Sequence, residues 1–436
     1  MGNAGGGRSI LKLIALLATV SLASCAGSSL EQTPLPVSSA QATMQAPQSA
    51  PGGAASEPSN DDSTDDAQAP ISNPRERTAA PAEGSAAKPA VRYACAQPAA
   101  AGRRECDAIL RPDAGASRAS APACNRTAPY CASDLQTAYD LTQAAKSGGK
   151  GATVAVVDAY GYPEAAGDLA VYRKNMGLPA CGVSNGCLRI VNQSGRANGL
   201  PKFNADSNDD WRAEAALDLD MISATCPNCK IILVQTNSNK SSDLSIGNNA
   251  AAALGALTIV NSYGGKEENA SAAGYRQSAR AVIASAGAGP GSRGPCAYAA
   301  VVCVGGTSLL PTSSGRGWIE RAWGNGGGCS ALVTKPKWQH AKSCKTRAVV
   351  DISAVADPAT GVAVYQSPAG WQEMGGTGIG TAIVAALFAL GPASARANAP
   401  LWIWRHGPTS AYHHVAGSSG YDAATGWGTP NGTGGF

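Results

Sequence analysis

From residue 151 onward, short runs of β-branched and other apolar residues alternate with segments of helical character. Continuous apolar strands separated by helices are typical of a parallel sheet that helices cover on both faces. The sequence therefore predicts a single α/β domain. The predicted strands are 152–158, 231–235, 257–262, 281–285, 300–304, 349–353 and 362–366. The predicted helices are 133–145, 164–176, 211–224, 242–257 and 376–390.

The start of the chain, residues 1–24, has the character of an export signal. Arg8 and Lys12 supply positive charge, and the apolar run that follows is too short for a membrane span. The run ends in Leu-Ala-Ser-Cys at 22–25, which resembles a bacterial lipobox. We therefore expect a diacylglycerol on Cys25 that tethers the protein to a membrane outside the cytoplasm. An ordinary signal peptide whose cleavage region contains this cysteine is the alternative.

Residues 25–93 are rich in Ala, Pro, Ser, Gly, Gln and Asp and hold almost no large apolar side chains. Such a segment cannot bury a core, so we predict a disordered linker between the anchor and the folded domain. The domain then spans 94–436, and its Cys-bearing first part, 94–150, is predicted to be irregular apart from one helix. Only 15% of the residues are charged and the net charge is +4, which gives no case for a nucleic-acid partner.

The 13 cysteines support export to the cell envelope. Setting Cys25 aside leaves an even number, as expected in an oxidising compartment. The cysteines fall into pairs of sequence neighbours, but spacing alone cannot fix how they connect. Cys226 and Cys229 form a CPNC motif that suits a redox or zinc site, although export favours a structural disulfide. The neighbour pairs are 95/106, 124/131, 181/187, 226/229, 296/303 and 329/344.

Glu214 and Asp218 lie four residues apart in the predicted helix 211–224, so both carboxylates face one side of it. Like charges at this spacing disfavour an isolated helix by roughly a few tenths of a kcal/mol. A close carboxylate pair can share a proton, which suits general acid–base chemistry. A solvated acidic helix face is the alternative that these two residues leave open.

Several segments, in unbroken order across about residues 94–436, resemble the sedolisins, the serine-carboxyl peptidases. This resemblance implies a subtilisin-like fold, with a parallel sheet flanked by helices, and cleavage of proteins at acidic pH. The resembling segments are WRAEAALDLDMISATCPNCKIILVQ (211–235), NSYGG (261–265), VVCVGGTSL (301–309), DISAVADPATGVAVY (351–365) and YDAATGWGTPNGTGGF (421–436).

The resemblance also implies roles for particular residues. A serine hydroxyl would attack the peptide carbonyl, Glu214 would take its proton in place of a histidine, and Asp218 would orient Glu214. A carboxylate is a weak base, which explains why such peptidases work in acid. The residues that the resemblance places along the substrate cleft are Asn261, Ser262, Gly264 and Gly265.

Two positions depart from the sedolisin pattern. The nucleophilic serine would stand in the segment GGTGIGTAIVAAL, where this chain has Gly378. The protonated aspartate that donates to the oxyanion would stand in VIASAGAGPG, where this chain has Ala288. No shift of register supplies either side chain. Ser308 lies in a second Gly-Gly-Thr-Ser segment, and the resemblance makes that serine structural.

The resemblance further implies one Ca²⁺ site near the C-terminus, built from carboxylate and carbonyl oxygens. The matching positions that can supply oxygen are Val415, Gly420 and Asp422. His414 stands where the first aspartate would be, and Ser418 replaces a glycine in a shortened loop. With a single carboxylate left, the sequence predicts a weak Ca²⁺ site or none.

The sequence thus predicts a sedolisin-like protein that lacks its nucleophile and its oxyanion donor, and so lacks the covalent route to peptide cleavage. The leading hypothesis is a lipid-anchored pseudoprotease of the bacterial cell envelope that binds a peptide or protein in the former substrate cleft. One alternative is an active acid endopeptidase that uses Thr377, Thr381 or a water molecule activated by Glu214 and Asp218. The other is an inert structural protein of the envelope.

Overall fold

The computed structural model describes Gly2 and residues 91–97, 100–112, 120–206, 208–287, 293–313, 315–324 and 326–436. The predicted signal segment beyond Gly2, Cys25, most of the predicted linker and Ala288 lie outside the described residues. The chain divides into two compact units, Met1–Pro81 and Ala82–Phe436, and every feature described below belongs to the second. Among the described residues, no helix is long and apolar enough to cross a bilayer.

The second unit contains many short strands besides those of its central sheet. The strands are β1 (Arg92–Tyr93), β2 (Glu105–Cys106), β3 (Ile109–Leu110), β4 (Thr153–Ala159), β5 (Leu188–Asn192), β6 (Lys230–Thr236), β7 (Thr258–Asn261), β8 (Tyr263–Gly264), β9 (Ala281–Ser285), β10 (Val301–Pro311), β11 (Trp318–Ala322), β12 (Cys329–Thr334), β13 (Thr346–Ala348), β14 (Ile352–Val355), β15 (Val362–Gln366), β16 (Gly370–Gly375), β17 (Tyr412–His413) and β18 (Thr429–Pro430). The α-helices are α1 (Ala132–Ala138), α2 (Thr142–Ser147), α3 (Ala165–Asn175), α4 (Trp211–Thr225), α5 (Ser241–Ala253), α6 (Gly378–Leu390), α7 (Ala393–Ala397) and α8 (Ala399–His406).

The central sheet has eight strands in the order β11-β10-β9-β7-β4-β6-β5, and β14 pairs with the middle of β10. Every pairing in it is parallel except that of β11 with β10. The inner strands are almost wholly buried apolar runs because helices flank the sheet. The predicted α/β class and the parallel sheet are confirmed.

Helices α4 and α6 pack against each other and against the middle of the sheet. α4 begins after Asp210, whose side chain accepts a hydrogen bond from the backbone N–H of Arg212. It ends just before Pro227, which cannot continue a helix. α6 is buried along nearly its whole length. The first turns of the two helices meet beside Ser262, directly after β7, so the site lies at the carboxyl ends of the parallel strands.

The N-terminal part, 94–150, departs from the sequence prediction. Strand β2 pairs with β8 and β3 pairs with β16, both antiparallel, where the sequence predicted irregular chain. The predicted helix 133–145 is two helices, α1 and α2, because Asp140 between them has a φ of 54°, which a continuous helix does not allow. The predicted strand 362–366 is β15, which joins the separate four-stranded sheet β1-β3-β16-β15.

Six disulfides connect the cysteines of the second unit. All six join cysteines that are neighbours in sequence, which is one of the connectivities that the spacing left open. Cys226 and Cys229 are bonded to each other and close the turn that follows α4, so the CPNC motif forms a disulfide here. Cys95 and Cys106 are also bonded, which fixes β2 to the chain just before it.

Candidate active site

Glu214 and Asp218 lie one turn apart near the start of α4, and both side chains are fully buried. The solvated acidic face, the alternative that the sequence left open, is therefore wrong. Glu214 Oε2 accepts two backbone hydrogen bonds, from the N–H of Asp107 at 2.7 Å and from that of Ala108 at 2.5 Å. Its other oxygen, Oε1, has no hydrogen-bond partner among the described residues.

Asp218 is held by the hydroxyl of Ser262, which donates to its Oδ1 at 2.7 Å. The sequence resemblance placed Ser262 along the substrate cleft, and the structure joins it to the carboxylate pair. Because the donor is itself buried, this bond orients the Asp218 carboxyl without help from solvent.

Burial raises the pKa of Glu214 well above its usual range, and the nearby Asp218 charge raises it further. Burial likewise raises the pKa of Asp218, with a second contribution from Asp158 at the end of β4. Burial alone raises the pKa of Asp158 to about 8. Burial and mutual repulsion therefore favour the protonated forms of these adjacent carboxyl groups, since crowding several negative charges into a dry site is unfavourable. Glu214 can act as a base only in a site that has first released a proton.

Gly378, the first residue of α6, faces Glu214 directly. A Cβ placed on Gly378 would lie 2.1 Å from Glu214 Oε1 and 3.2 Å from the Cβ of Ser262. The first distance is far shorter than any van der Waals contact. The Glu214 carboxyl group thus fills the space in which a side chain at position 378 would begin.

Two threonines on either side of Gly378 carry hydroxyl groups. Thr377 Oγ1 donates to Asp107 Oδ2 at 3.4 Å, and Thr381 Oγ1 donates to the carbonyl of Thr377 at 2.9 Å. Both side chains are fully buried. The Thr381 proton is committed to the preceding helical turn, so of the two only Thr377 has its hydroxyl directed at a carboxylate.

Asp107, in the link between β2 and β3, is a site residue that the sequence did not reveal. It is fully buried, and its Oδ2 accepts hydrogen bonds from the hydroxyls of Ser285 and Thr377. Ser285 ends β9, three residues before Ala288. The one signal in the sequence was an acidic residue placed between a cysteine and the apolar run Ala-Ile-Leu, in a part predicted to be irregular.

Comparison with known proteins identifies the relatives of this chain. No family model matches it. Sedolisin from Pseudomonas sp. (strain 101) is 33% identical to it over 165 residues, which cover 32% of this chain and 28% of sedolisin. The chain is a homologue of sedolisin and has a subtilisin-like fold. The matched sequence spans less than a third of that relative's length.

A solved structure of sedolisin shows the same fold. Pseudomonas sedolisin, a serine-carboxyl proteinase complexed with two molecules of pseudo-iodotyrostatin, matches with a TM-score of 0.56 at 22% identity, over 68% of this chain and 94% of that chain. Fervidolysin from Fervidobacterium pennivorans, a keratinolytic enzyme related to subtilisin, matches with a TM-score of 0.48 at 14% identity, over 76% of this chain and 49% of that chain.

Of the remaining positions that the sedolisin resemblance placed along the cleft, one points into the core and two lie on or next to β8. Asn261 lies inside the core, where its Oδ1 accepts hydrogen bonds from Asn248 Nδ2 at 2.7 Å and from the hydroxyl of Tyr263 at 2.5 Å. Gly264 belongs to β8, which carries β2 along its edge, and Gly265 follows with a φ of 137°. The two glycines therefore lie at the edge of β8 that pairs with β2, whereas Asn261 points into the core.

The positions expected to bind Ca²⁺ in a sedolisin fit that ion poorly here. Asp422 Oδ1 accepts the backbone N–H groups of Ala424 and Thr425 at 2.9 and 3.0 Å, so it closes a turn. The carbonyl of Val415 accepts the N–H of Ser418 at 2.9 Å, and Gly420 can add only one more carbonyl. Across the described residues, no group of three or more His, Cys, Asp and Glu side chains is placed to hold a metal ion. Val415, Gly420 and Asp422 together therefore lack the several carboxylate oxygens that Ca²⁺ prefers.

Proposed function

We propose that this sedolisin homologue is a lipid-anchored pseudoprotease of the bacterial cell envelope, which holds an extended peptide in its cleft and does not cleave it. The observation that carries the proposal is the contact between Gly378 and Glu214. The base that the sedolisin resemblance assigns is present, but the residue that would give it a proton has no side chain. Without a hydroxyl at that position, no acyl-enzyme can form there.

Retention of peptide binding is supported by the backbone beside the site. The edge of β8 pairs antiparallel with β2, with Glu105 opposite Gly264 and Cys106 opposite Tyr263. An extended peptide that adds to a sheet edge gains main-chain hydrogen bonds irrespective of catalysis. The loss of a nucleophile therefore removes cleavage without altering the main-chain pairing that this edge offers to an extended segment.

A peptidase assay of the full chain from about pH 3 to pH 7 tests the proposal, because the sedolisin resemblance implies cleavage in acid by a carboxylate base. We expect no cleavage of a protein substrate by the natural chain or by its Glu214→Gln variant. Pseudomonas sedolisin under the same conditions is the positive control. If the natural chain cleaves the substrate and Glu214→Gln abolishes cleavage, the proposal is wrong.

One observation favours an alternative, an acid endopeptidase with a threonine nucleophile. In that reaction Thr377 Oγ1 would attack the peptide carbonyl, its proton would pass to Asp107 Oδ2, and the departing amine would take that proton. Water would then hydrolyse the acyl-threonine ester, releasing the new carboxyl end and restoring the Thr377 hydroxyl. The 3.4 Å separation is long for a working proton transfer. Loss of all cleavage in Thr377→Val but not in Thr381→Val would identify this route.

The anchor is tested apart from the cleft. Cys25→Ser should move the protein from the membrane fraction to the soluble exported fraction, because a single acylated cysteine supplies the attachment. Mass spectrometry of the N-terminal fragment of the natural chain should find a diacylglycerol on Cys25. Export of a soluble natural chain that begins elsewhere would show that residues 1–24 are an ordinary signal.

A further inference from the structure

The groove between β8 and β16 is occupied by the chain itself. Residues 104–110, named here the cleft segment, run through it in extended conformation as β2, Asp107-Ala108 and β3. We propose that the cleft segment is the resident peptide ligand of this protein, bound in cis as a substrate would be. The inference rests on the proposed function, since it assumes that the groove binds peptides, and it names the ligand.

The hydrogen bonds follow the pattern of a bound strand on both sides of one peptide bond. Before that bond, the cleft segment pairs with β8, and the N–H of Asp107 donates to the carbonyl of Ser262 at 3.3 Å. After that bond, Ile109 and Leu110 pair with Gly375 and Met374 of β16. The segment therefore changes partner at the bond between Asp107 and Ala108.

That bond lies at the carboxylate pair. The nitrogen of Ala108, which would depart as an amine if the bond were cut, donates its N–H to Glu214 at 2.5 Å. The carbonyl oxygen of Asp107 passes so close to Gly376 that a Cβ there would lie 2.0 Å from it. A side chain at Gly376 would collide with the cleft segment, and one at Gly378 would collide with Glu214. The chain thus presents one of its own peptide bonds to the catalytic position and cannot break it by acyl transfer.

Two side chains of the cleft segment are gripped as well, and they define the class of peptide that fits. Arg104 is 1% exposed, and its guanidinium donates to the carbonyls of Lys266 and Gly294 at 2.7 and 3.2 Å and to Glu268 Oε1 at 2.8 Å. Three residues later, the Asp107 carboxylate accepts two hydroxyl hydrogen bonds. The groove therefore suits an extended peptide with an arginine three residues before an aspartate.

The segment is also tied in place covalently. The disulfide between Cys95 and Cys106 joins its middle to the chain just before it. That chain is bound in turn to the start of α4, because the N–H of Asp210 donates to the carbonyl of Ala94 at 2.9 Å. An external peptide must compete with a ligand that cannot diffuse away, which gives the resident segment a high effective concentration.

The test measures binding of a labelled octapeptide to full-length variants. The peptide, Arg-Arg-Glu-Ser-Asp-Ala-Ile-Leu, has the sequence of residues 103–110 with serine in place of Cys106. Amide hydrogen exchange across 105–110 is the second readout. Arg104→Ala removes a buried anchor and should speed exchange of the segment about tenfold or more and allow the peptide to bind. Arg280→Ala is the matched control, since its guanidinium donates to the carbonyls of Ala256 and Ser278 outside the groove. The natural chain and this control should show protected amides and no binding.

A second variant, Ala108→Pro, removes the N–H that reaches Glu214 and adds a ring that fixes the backbone at this buried position, so it should also release the segment if Arg104→Ala does not fold. The proposal is overturned if the natural chain binds the octapeptide as tightly as the variants, or if its 105–110 amides exchange freely. It is also overturned if the segment loses protection and the vacated groove still ignores the peptide. Cleavage of the octapeptide by the natural chain would instead contradict the proposed function.

Discussion

Replacing Gly378 by serine tests whether the Glu214 carboxyl group really fills the nucleophile's place. The new Cβ would approach Glu214 Oε1 to 2.1 Å, so the glutamate must rotate away and give up its bonds to Asp107 N–H and Ala108 N–H. Two lost hydrogen bonds cost about 1–3 kcal/mol and crowding of a packed site adds about 1–3 kcal/mol. Serine improves helix propensity over glycine by about 0.5 kcal/mol. We expect Gly378→Ser to lower the free energy of unfolding by about 3 kcal/mol.

Urea unfolding at neutral pH measures this change, and Gly167→Ser is the matched control. Gly167 lies in α3, and a Cβ on it meets nothing within 4 Å, so this variant should be slightly more stable than the natural chain. Adding Glu214→Ala to Gly378→Ser should recover part of the lost stability, because the clash disappears with the carboxyl group. If Gly378→Ser and Gly167→Ser unfold at the same urea concentration, the assignment of that space to Glu214 is refuted.

Restoring both missing side chains tests whether the cleft segment obstructs the site. The double variant Gly378→Ser with Ala288→Asp supplies both missing side chains, yet the cleft segment would still lie across the site. We expect it to remain inactive in the peptidase assay and to gain activity only when Arg104→Ala is added. Activity in the double variant alone would show that the segment does not obstruct the cleft.

Three further outcomes are expected. Burial raises the pKa of Asp158 to about 8. Its contribution to stability is therefore complete below about pH 4, the ordinary pKa of an aspartate, and is lost as the pH rises from there through about 8. Asp158→Asn should flatten this pH dependence of urea unfolding. Ser262→Ala should cost about 1–3 kcal/mol, because it leaves the Asp218 oxygen without its donor, whereas Ser194→Ala on an exposed turn should leave the urea midpoint unchanged. Chelation by EDTA should leave the melting temperature unchanged, since Asp422 already caps a turn; a drop that added Ca²⁺ reverses would contradict this.

The sequence was informative where structure is local. The strands of the central sheet are continuous apolar runs, and the spacing of Glu214 and Asp218 placed them on one helix face. The two-residue strands β2 and β3 carry no such periodicity, and their extended form is imposed by partners far away in sequence, so they were missed. A break between α1 and α2 was missed because the backbone at Asp140 adopts a conformation that its residue type permits but does not require.

At the site, too, the sequence indicates local features but not contacts between distant parts of the chain. A motif can assign Ser262 to a strand, but only the packing of α4 on the sheet reveals that its hydroxyl binds Asp218. Asn261 belongs to the same motif and turns into the core, because successive residues of a strand point to opposite faces. Asp107 could not be placed from sequence at all, since every side-chain partner described here comes from a distant part of the chain.

The position of Asp107 also bears on how this protein folds. Its contacts with Glu214, Ser285 and Thr377 span 107, 178 and 270 residues of sequence. Closing such long loops is slow, because much chain entropy is lost before any of these contacts forms. The segment precedes all three of these partners in the chain, and the last of them, Thr377, follows 270 residues after Asp107. The groove around the segment is therefore complete only when α6 has docked, since Thr377 directly precedes that helix.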